Sequence, residues 1–97
     1  MEAPLAMLGR LDSVSAGLAA HAGSVKPALA SDLASAAWCL RAAAEMAWLN
    51  VRINAAGLPG DPRARAALDE GQGFLERIRS RLEGLLRGVE ASLGGAS

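Results

Sequence analysis

Apolar residues recur every seven residues along the last third of the chain. Two interleaved series share this spacing: Leu68, Leu75, Leu82 and Val89, and Ala64, Gly71, Ile78 and Leu85. A heptad pattern that persists for four repeats predicts a long helix whose apolar seam packs against another helix. Asp61 suits the N-cap and Pro62 the first helical position, so we place this helix at residues 62–93. The last residues, 94–97, are expected to fray.

The middle of the chain has an apolar pattern of a different kind. At about 100° per residue, apolar side chains cover two adjoining faces of one helix, and charge is confined to a narrow stripe. The first face carries Leu29, Leu33, Leu40, Ala47 and Val51, the second carries Cys39, Met46, Leu49 and Ile53, and the stripe carries Arg41, Glu45 and Arg52. A helix that is apolar around most of its circumference is packed by more than one neighbour. We therefore expect a central helix over residues 27–56.

Glycine and proline divide the chain on either side of this central helix. Gly57 is expected to end it as a left-handed C-cap, and the short connection to Asp61 makes the second and third helices antiparallel. On the other side, Ser24 suits an N-cap and Pro27 a place in the first turn. Before that break, a shorter helix is predicted over residues 4–22. Its apolar stripe consists of Met7, Leu11, Val14 and Leu18.

These elements predict an all-α fold in which residues 1–97 form a single domain. The second and third helices form an antiparallel helical hairpin, with the shorter N-terminal helix alongside. The product is either a three-helix bundle or part of a dimeric helical bundle. Composition favours association, because 22 Ala and 15 Leu supply most of the apolar residues and each Ala buries little surface. We therefore expect a homodimer or a higher oligomer.

Charge and cysteine content argue against several partners and settings. Ten acidic residues balance ten basic ones, which disfavours nucleic-acid binding through bulk charge. The longest uncharged run, between Asp12 and Lys26, is too short and too polar to cross a bilayer, so no membrane partner is expected. Cys39 is the single cysteine, and the chain begins without the basic region of a signal peptide. A cytoplasmic protein is expected, and the many Arg, Ala and Gly residues favour a bacterial source.

The main candidate for function is a line of aromatic and charged residues on the central helix. Trp38, Arg41, Glu45, Trp48 and Arg52 follow spacings of three, four, three and four, which places them along one side of the helix. Tryptophan and arginine are enriched among interface residues that contribute most to binding. One interpretation is a partner-binding ridge. The alternative is that both rings fill the edges of the bundle beneath the arginine stems.

Asn50 interrupts the apolar arc of the same helix, and Asn54 lies one turn further on. A buried Asn can fix the register and the oligomeric state of associated helices. Asn50 is therefore a candidate for setting the register of an oligomer. The alternative is that both amides lie near the end of the helix and bind water.

The remaining polar residues give weaker indications. His21 has no second ligand beside it and Cys39 lies on an apolar face, so we predict no metal site, no catalytic residue and no cofactor. Arg77, Arg79 and Arg81 spread over more than half of the helix circumference and are expected to form a solvated face. Glu83 and Arg87 have the spacing of an ion pair along one helix.

Three classes of function fit this sequence, in a definite order. The first is a non-enzymatic protein–protein interaction module: an adaptor, an assembly factor or a small chaperone. The second is a small-molecule or cofactor carrier, with a cavity lined by Trp38, Met46 and Trp48 and an anion held by Arg41 or Arg52. The third is an enzyme with a site at a subunit interface, built from His21, Glu45 or Cys39. The enzyme is placed last, because a site shared between subunits leaves no signature in a single sequence.

Overall fold

A computed structural model describes residues 2–21 and 29–95, with side-chain environments for residues 2–20 and 29–91. These residues form three helices: α1 is Glu2–His21, α2 is Ala30–Ala56 and α3 is Pro62–Gly95. The all-α fold class is confirmed. The expected capping role of Ser24 and the placement of Pro27 lie outside the described residues.

The three helices lie side by side with alternating directions. Arg41 lies beside Glu83, Glu45 beside Arg79 and Trp48 beside Gly71, so α2 and α3 are antiparallel. Along α1, Leu5 approaches Gly71, Gly9 approaches Phe74 and Asp12 meets Arg77. This order makes α1 parallel to α3 and antiparallel to α2. The product is an elongated three-helix bundle of 54 × 18 × 16 Å.

The helices contribute unequally to the core. α3 supplies large side chains, since Leu75, Ile78, Leu82 and Leu85 of its heptad seam are buried. α2 supplies mainly small ones, and its buried residues are Ala30, Ala37, Ala44, Ala47, Val51 and Ala55. Alanines let α2 approach α3 closely, but each buries little apolar surface. α2 therefore contributes little apolar area to the core for its length.

The connection from α2 to α3 turns later than the sequence indicates. Gly57 has right-handed dihedrals, φ −77° and ψ −5°, and its N–H bonds the carbonyl of Asn54 at 3.2 Å. The expected left-handed cap at Gly57 is wrong, because the left-handed residue is Gly60, with φ +78°. The expected start of α3 is confirmed. The Asp61 carboxylate accepts the Arg63 N–H at 2.9 Å, and this bond lowers the pKa of Asp61.

The face that α1 buries also differs from the expected stripe. Met7 and Val14 are 51% and 54% exposed, whereas Leu8 and Ser15 are fully buried. α1 is rotated so that Asp12 faces α3, where two arginines bind it. The shift by one residue moves half of the expected stripe to the surface.

Candidate functional site

The side of α2 opposite the core carries a continuous row of uncharged, exposed residues. Its seven members, here called the outer stripe, are Ser31, Ser35, Trp38, Ala42, Met46, Leu49 and Ile53. The four large side chains are more than half exposed: Trp38 56%, Met46 61%, Leu49 51% and Ile53 59%. Single exposed apolar residues are ordinary, but a contiguous apolar patch on a soluble protein marks a contact surface.

The outer stripe contrasts with the exposed surface of α3. That surface carries charges of both signs: Arg63, Arg65, Asp69, Glu70, Glu76, Arg77, Glu83, Arg87 and Glu90. Charged side chains remain hydrated and resist burial against a partner. The molecule therefore has a solvated side on α3 and an apolar side on α2. A partner that binds the apolar side displaces water at the lowest cost in free energy.

The structure divides the five residues of the predicted ridge between two environments. Trp38 and Arg52 are exposed, and the Arg41 guanidinium lies 5.8 Å from the Trp38 ring centroid and 3.8 Å from Glu83. Trp48 is half-buried over Gly71, where a Cβ would come within 2.9 Å of the indole ring. Glu45 binds Arg79 through both carboxylate oxygens, at 2.6 and 2.5 Å. The ridge thus spans the seam between α2 and α3 rather than one free surface.

The ion pair between Glu45 and Arg79 shifts the pKa values of both groups at this seam between α2 and α3. The hydrogen bonds from Arg79 lower the pKa of Glu45, and the bonds to Glu45 raise the pKa of Arg79. Both groups are therefore charged at neutral pH. A carboxylate held in this way is a weak proton acceptor, and its evident role is to orient α2 against α3.

A cluster on the other side of α3 was not apparent from the sequence. Arg81 bonds the Asp12 carboxylate at 2.5 Å, the Asp12 carbonyl at 2.8 Å and the Ser15 hydroxyl at 3.3 Å, while Arg77 reaches Asp12 at 3.4 Å. The Ser15 hydroxyl in turn donates to the Asp12 carbonyl at 2.8 Å. The fully buried Ser15 is therefore satisfied, and we call these four residues the Asp12 cluster.

The three arginines of α3 are only in part a solvated face, because each of them also pairs with a carboxylate of another helix. Arg77 and Arg81 bind α1, whereas Arg79, lying between them in sequence, binds α2. The signal in the sequence was the four-residue spacing of Arg77 and Arg81 together with an acidic residue, Asp12, in the middle of α1. Glu83 also differs from expectation, since it pairs with Arg41 across helices rather than with Arg87.

A shallow groove of about 480 Å³ separates the outer side of α2 from the start of α1. Pro4 and Met7 line it from α1, and Met46, Asn50 and Asn54 line it from α2. Both amides are exposed in this chain. Neither Trp38 nor Trp48 lines this groove, so it is not the cavity envisaged from Trp38, Met46 and Trp48.

The other candidates for chemistry are dispersed. Cys39 is an exposed free thiol beside the outer stripe, and the side chain of His21 lies outside the described part of the chain. Among the residues that the structure describes, no three His, Cys, Asp or Glu side chains come together as a metal site. Within the same residues, no helix has both the length and the apolar character of a membrane span.

Comparison with known proteins identifies one family. The family model described as formiminotransferase-cyclodeaminase matches residues 1–72, which comprise α1, α2 with its outer stripe, and the first part of α3. The Asp12 cluster and the Glu45–Arg79 pair draw their arginines from beyond the match. No curated protein and no solved structure shows significant similarity to the chain. Since the match covers most of the 97 residues, the chain belongs to the formiminotransferase-cyclodeaminase family.

Proposed function

We propose that this protein is a helical association module that binds an apolar helix of a protein subunit through the outer stripe of α2. The observation that carries the proposal is the row of four large apolar side chains, each more than half exposed, with no charge among its seven members. Burying such side chains contributes about 25 cal/mol for each Å² removed from water. A charged or strongly hydrated partner surface would not provide this free energy of burial.

The surroundings of the outer stripe suit a specific contact. Trp38 offers a large flat area near one end, and Arg41 and Arg52 lie beside the stripe, where a polar rim belongs. Glu45 and Trp48, which complete the predicted ridge, support this surface by holding α2 on α3. An exposed thiol at Cys39 suits the reducing cytoplasm, where it stays unoxidised.

Site-specific photo-crosslinking in cells tests the proposal and captures the partner in the same experiment. A photoreactive residue replaces Leu49 on the outer stripe or, as the control, Ser80 on the exposed side of α3. We expect one discrete, mass-identified protein adduct at position 49, none at position 80, and loss of the adduct when Met46→Glu is added. Equal adducts at both positions, or none at position 49, would refute the proposal.

A second candidate function is catalytic, and the family match over residues 1–72 favours it. The family description names a cyclodeaminase, so the chain would contribute to an enzyme that releases ammonia from a formimino compound. The test is ammonia release from formimino compounds by the purified chain, alone and with any adduct partner found by crosslinking. Release that depends on enzyme concentration supports catalysis, and none under either condition rejects it.

A further inference from the structure

We infer that α1 is a strap, a helix that opens away from the bundle while α2 and α3 stay paired, and that the Asp12 cluster is the latch that holds it closed. Unequal burial of the three helices and the ionic contacts of α1 support this arrangement. The strap acts on the inner side of the bundle, and its opening does not depend on what binds the outer stripe.

Few buried side chains hold α1 to the bundle. Among its residues 2–20, only Leu8 and Ser15 are buried, and Ser15 contributes a hydroxyl rather than an apolar side chain. By contrast, α2 and α3 bury residues along their whole length, from position 30 to 55 and from position 64 to 89. An element with few buried apolar contacts opens at a lower free energy than the rest of a fold. α1 is therefore the helix expected to open first.

The sequence of α1 adds to this difference. Gly9 and Gly17 lie in the interior of the helix, where glycine is less favourable than alanine. A Cβ at Gly17 would meet nothing within 4 Å, so close packing does not require glycine there. Once released, a helix of 20 residues that contains two glycines is marginal in water. The released chain therefore regains conformational entropy, which lowers the free energy of opening.

The polar contacts that oppose opening are ionic. Arg81 bonds the Asp12 carboxylate at 2.5 Å and the Asp12 carbonyl at 2.8 Å, and Arg77 lies 3.4 Å from the same carboxylate. These bonds join α3 to α1, so all of them break when α1 leaves. The Arg77 side chain is 51% exposed, so dissolved salt partly screens the latch. Both arginines lie beyond residues 1–72, and the family match therefore does not account for the latch.

The pairing of α2 with α3 does not use the latch. Glu45 bonds Arg79, and the Trp48 ring packs on Gly71, so both contacts join α2 directly to α3. Arg79 lies between the two latch arginines in sequence but binds on the other side of α3. α2 and α3 therefore keep these contacts when α1 moves.

Opening of α1 uncovers a defined part of the bundle. The Leu5 side chain and the Trp48 ring both lie against Gly71, so departure of α1 removes the apolar neighbour on one side of this contact. It also leaves Arg77 and Arg81 without the Asp12 carboxylate. The closed strap thus covers an apolar surface of α2 and α3 that is bordered by two arginines.

Hydrogen exchange of the full chain, resolved by peptide mass spectrometry, tests the strap with two variants. Asp12→Asn weakens the closed state against every opening, so it should raise exchange in all three helices by the same factor, about fivefold to a hundredfold. Glu45→Gln weakens the closed and the strap-open states equally. It should therefore raise exchange in α2 and α3 by about twofold to fivefold and leave α1 unchanged.

The wild type and a matched control complete the experiment. In the wild type, the slowest amides of α1 should be less protected than those of α2 and α3. Asp69→Asn, which removes a carboxylate from an exposed pair within α3, should leave exchange in α1 unchanged. Equal protection of the three helices in the wild type, or a response of α1 to Glu45→Gln as large as that of α2, would show that the bundle opens only as a whole and would overturn the strap.

Salt tests the latch separately. A rise in sodium chloride from about 20 mM to about 500 mM should speed exchange of the α1 amides severalfold in the wild type, because the ion pairs of Asp12 are screened. In Asp12→Asn the same rise should have no such effect. A salt response of equal size in both proteins would overturn the role of the Asp12 cluster as the latch.

Discussion

At the scale of single residues, Gly71 of α3 lies close to side chains of both other helices. A Cβ at this position would lie 2.9 Å from Cζ3 and 3.2 Å from Cε3 of Trp48, and 3.5 Å from Cδ1 of Leu5. Glycine in a helix interior costs about 1 kcal/mol relative to alanine. That cost is offset because the absent side chain lets the Trp48 ring pack closely against α3. The heptad spacing marks Gly71 as a seam position, which is why its closeness to another helix was predictable.

Substitution of Gly71 by alanine should therefore destabilise the bundle despite the higher helix propensity of alanine. Overpacking against the Trp48 ring costs about 1–3 kcal/mol, which exceeds the gain of about 1 kcal/mol in propensity. Gly84→Ala is the matched control, since a Cβ there meets nothing within 4 Å and should stabilise by about 0.5–1 kcal/mol. Urea unfolding monitored by circular dichroism measures both changes, and a stabilised Gly71→Ala would show that the indole ring moves aside without cost.

At the scale of helices, the three alternating arginines of α3 hold both other helices. Successive positions two residues apart project about 200° from each other, so Arg77 and Arg81 reach α1 while Arg79 reaches α2. This arrangement explains the burial of α1. Its apolar residues are compatible with two orientations, one that buries Met7 and Val14 and one that buries Leu8, and the Asp12 cluster favours the second.

Removal of the Asp12 charge should loosen α1. The Asp12 side chain is 17% exposed and accepts charge-assisted bonds from two arginines. We expect Asp12→Asn to cost about 1–3 kcal/mol, since hydrogen bonds to charged groups are worth more than neutral ones. Asp69→Asn, at an exposed pair with Arg65 whose atoms are 3.7 Å apart, should change stability by less than about 0.5 kcal/mol. Equal losses in urea unfolding would contradict the special role of the cluster.

The Glu45–Arg79 pair predicts how stability depends on pH. Because Arg79 lowers the folded-state pKa of Glu45 below its ordinary value of 4.5, the pair contributes fully above pH 4.5 and its contribution disappears as the pH falls through the folded-state pKa. The magnitude is about 1 kcal/mol or less, since both side chains are more than a third exposed. Glu45→Gln should be less stable at pH 7 and lose less on acidification.

The comparison that isolates this pair is with Glu90→Gln, at an exposed position on α3. Thermal unfolding between neutral pH and about pH 3 should give parallel curves for the wild type and Glu90→Gln. The curve of Glu45→Gln should converge on them at the acidic end. The pair is not the source of the acid dependence if the Glu45→Gln curve does not converge on the wild-type curve. The same holds if Glu90→Gln converges as strongly as Glu45→Gln.

At the scale of the whole molecule, helices were more predictable than the surfaces they present. The heptads and the Asp61–Pro62 start are local signals, and they place α3 correctly. The direction of Glu45 and Trp48 towards α3 depends on the rotation of α2 about its axis, which two distant residues, Arg79 and Gly71, determine. The second apolar face of α2 was evident from the sequence. Its exposure could not be predicted, because that depends on where α1 and α3 pack around α2. The large apolar side chains that remain exposed on α2 therefore distinguish this bundle from one that buries such side chains within a single chain.

That exposed face predicts a melting temperature that depends on protein concentration. A copy bound to the folded state but not to the unfolded chain stabilises the fold by mass action. Above the dissociation constant, each tenfold rise in concentration should raise Tm by a few degrees for a chain of 97 residues. Ala42→Glu, which places a charge in the outer stripe, should need a higher concentration for the same rise in Tm, whereas Ala66→Glu, on the exposed side of α3, should follow the wild type. A wild-type Tm that is constant from micromolar to millimolar concentration would mean that the thin alanine core is sufficient on its own, and the outer stripe would then have no role in self-association.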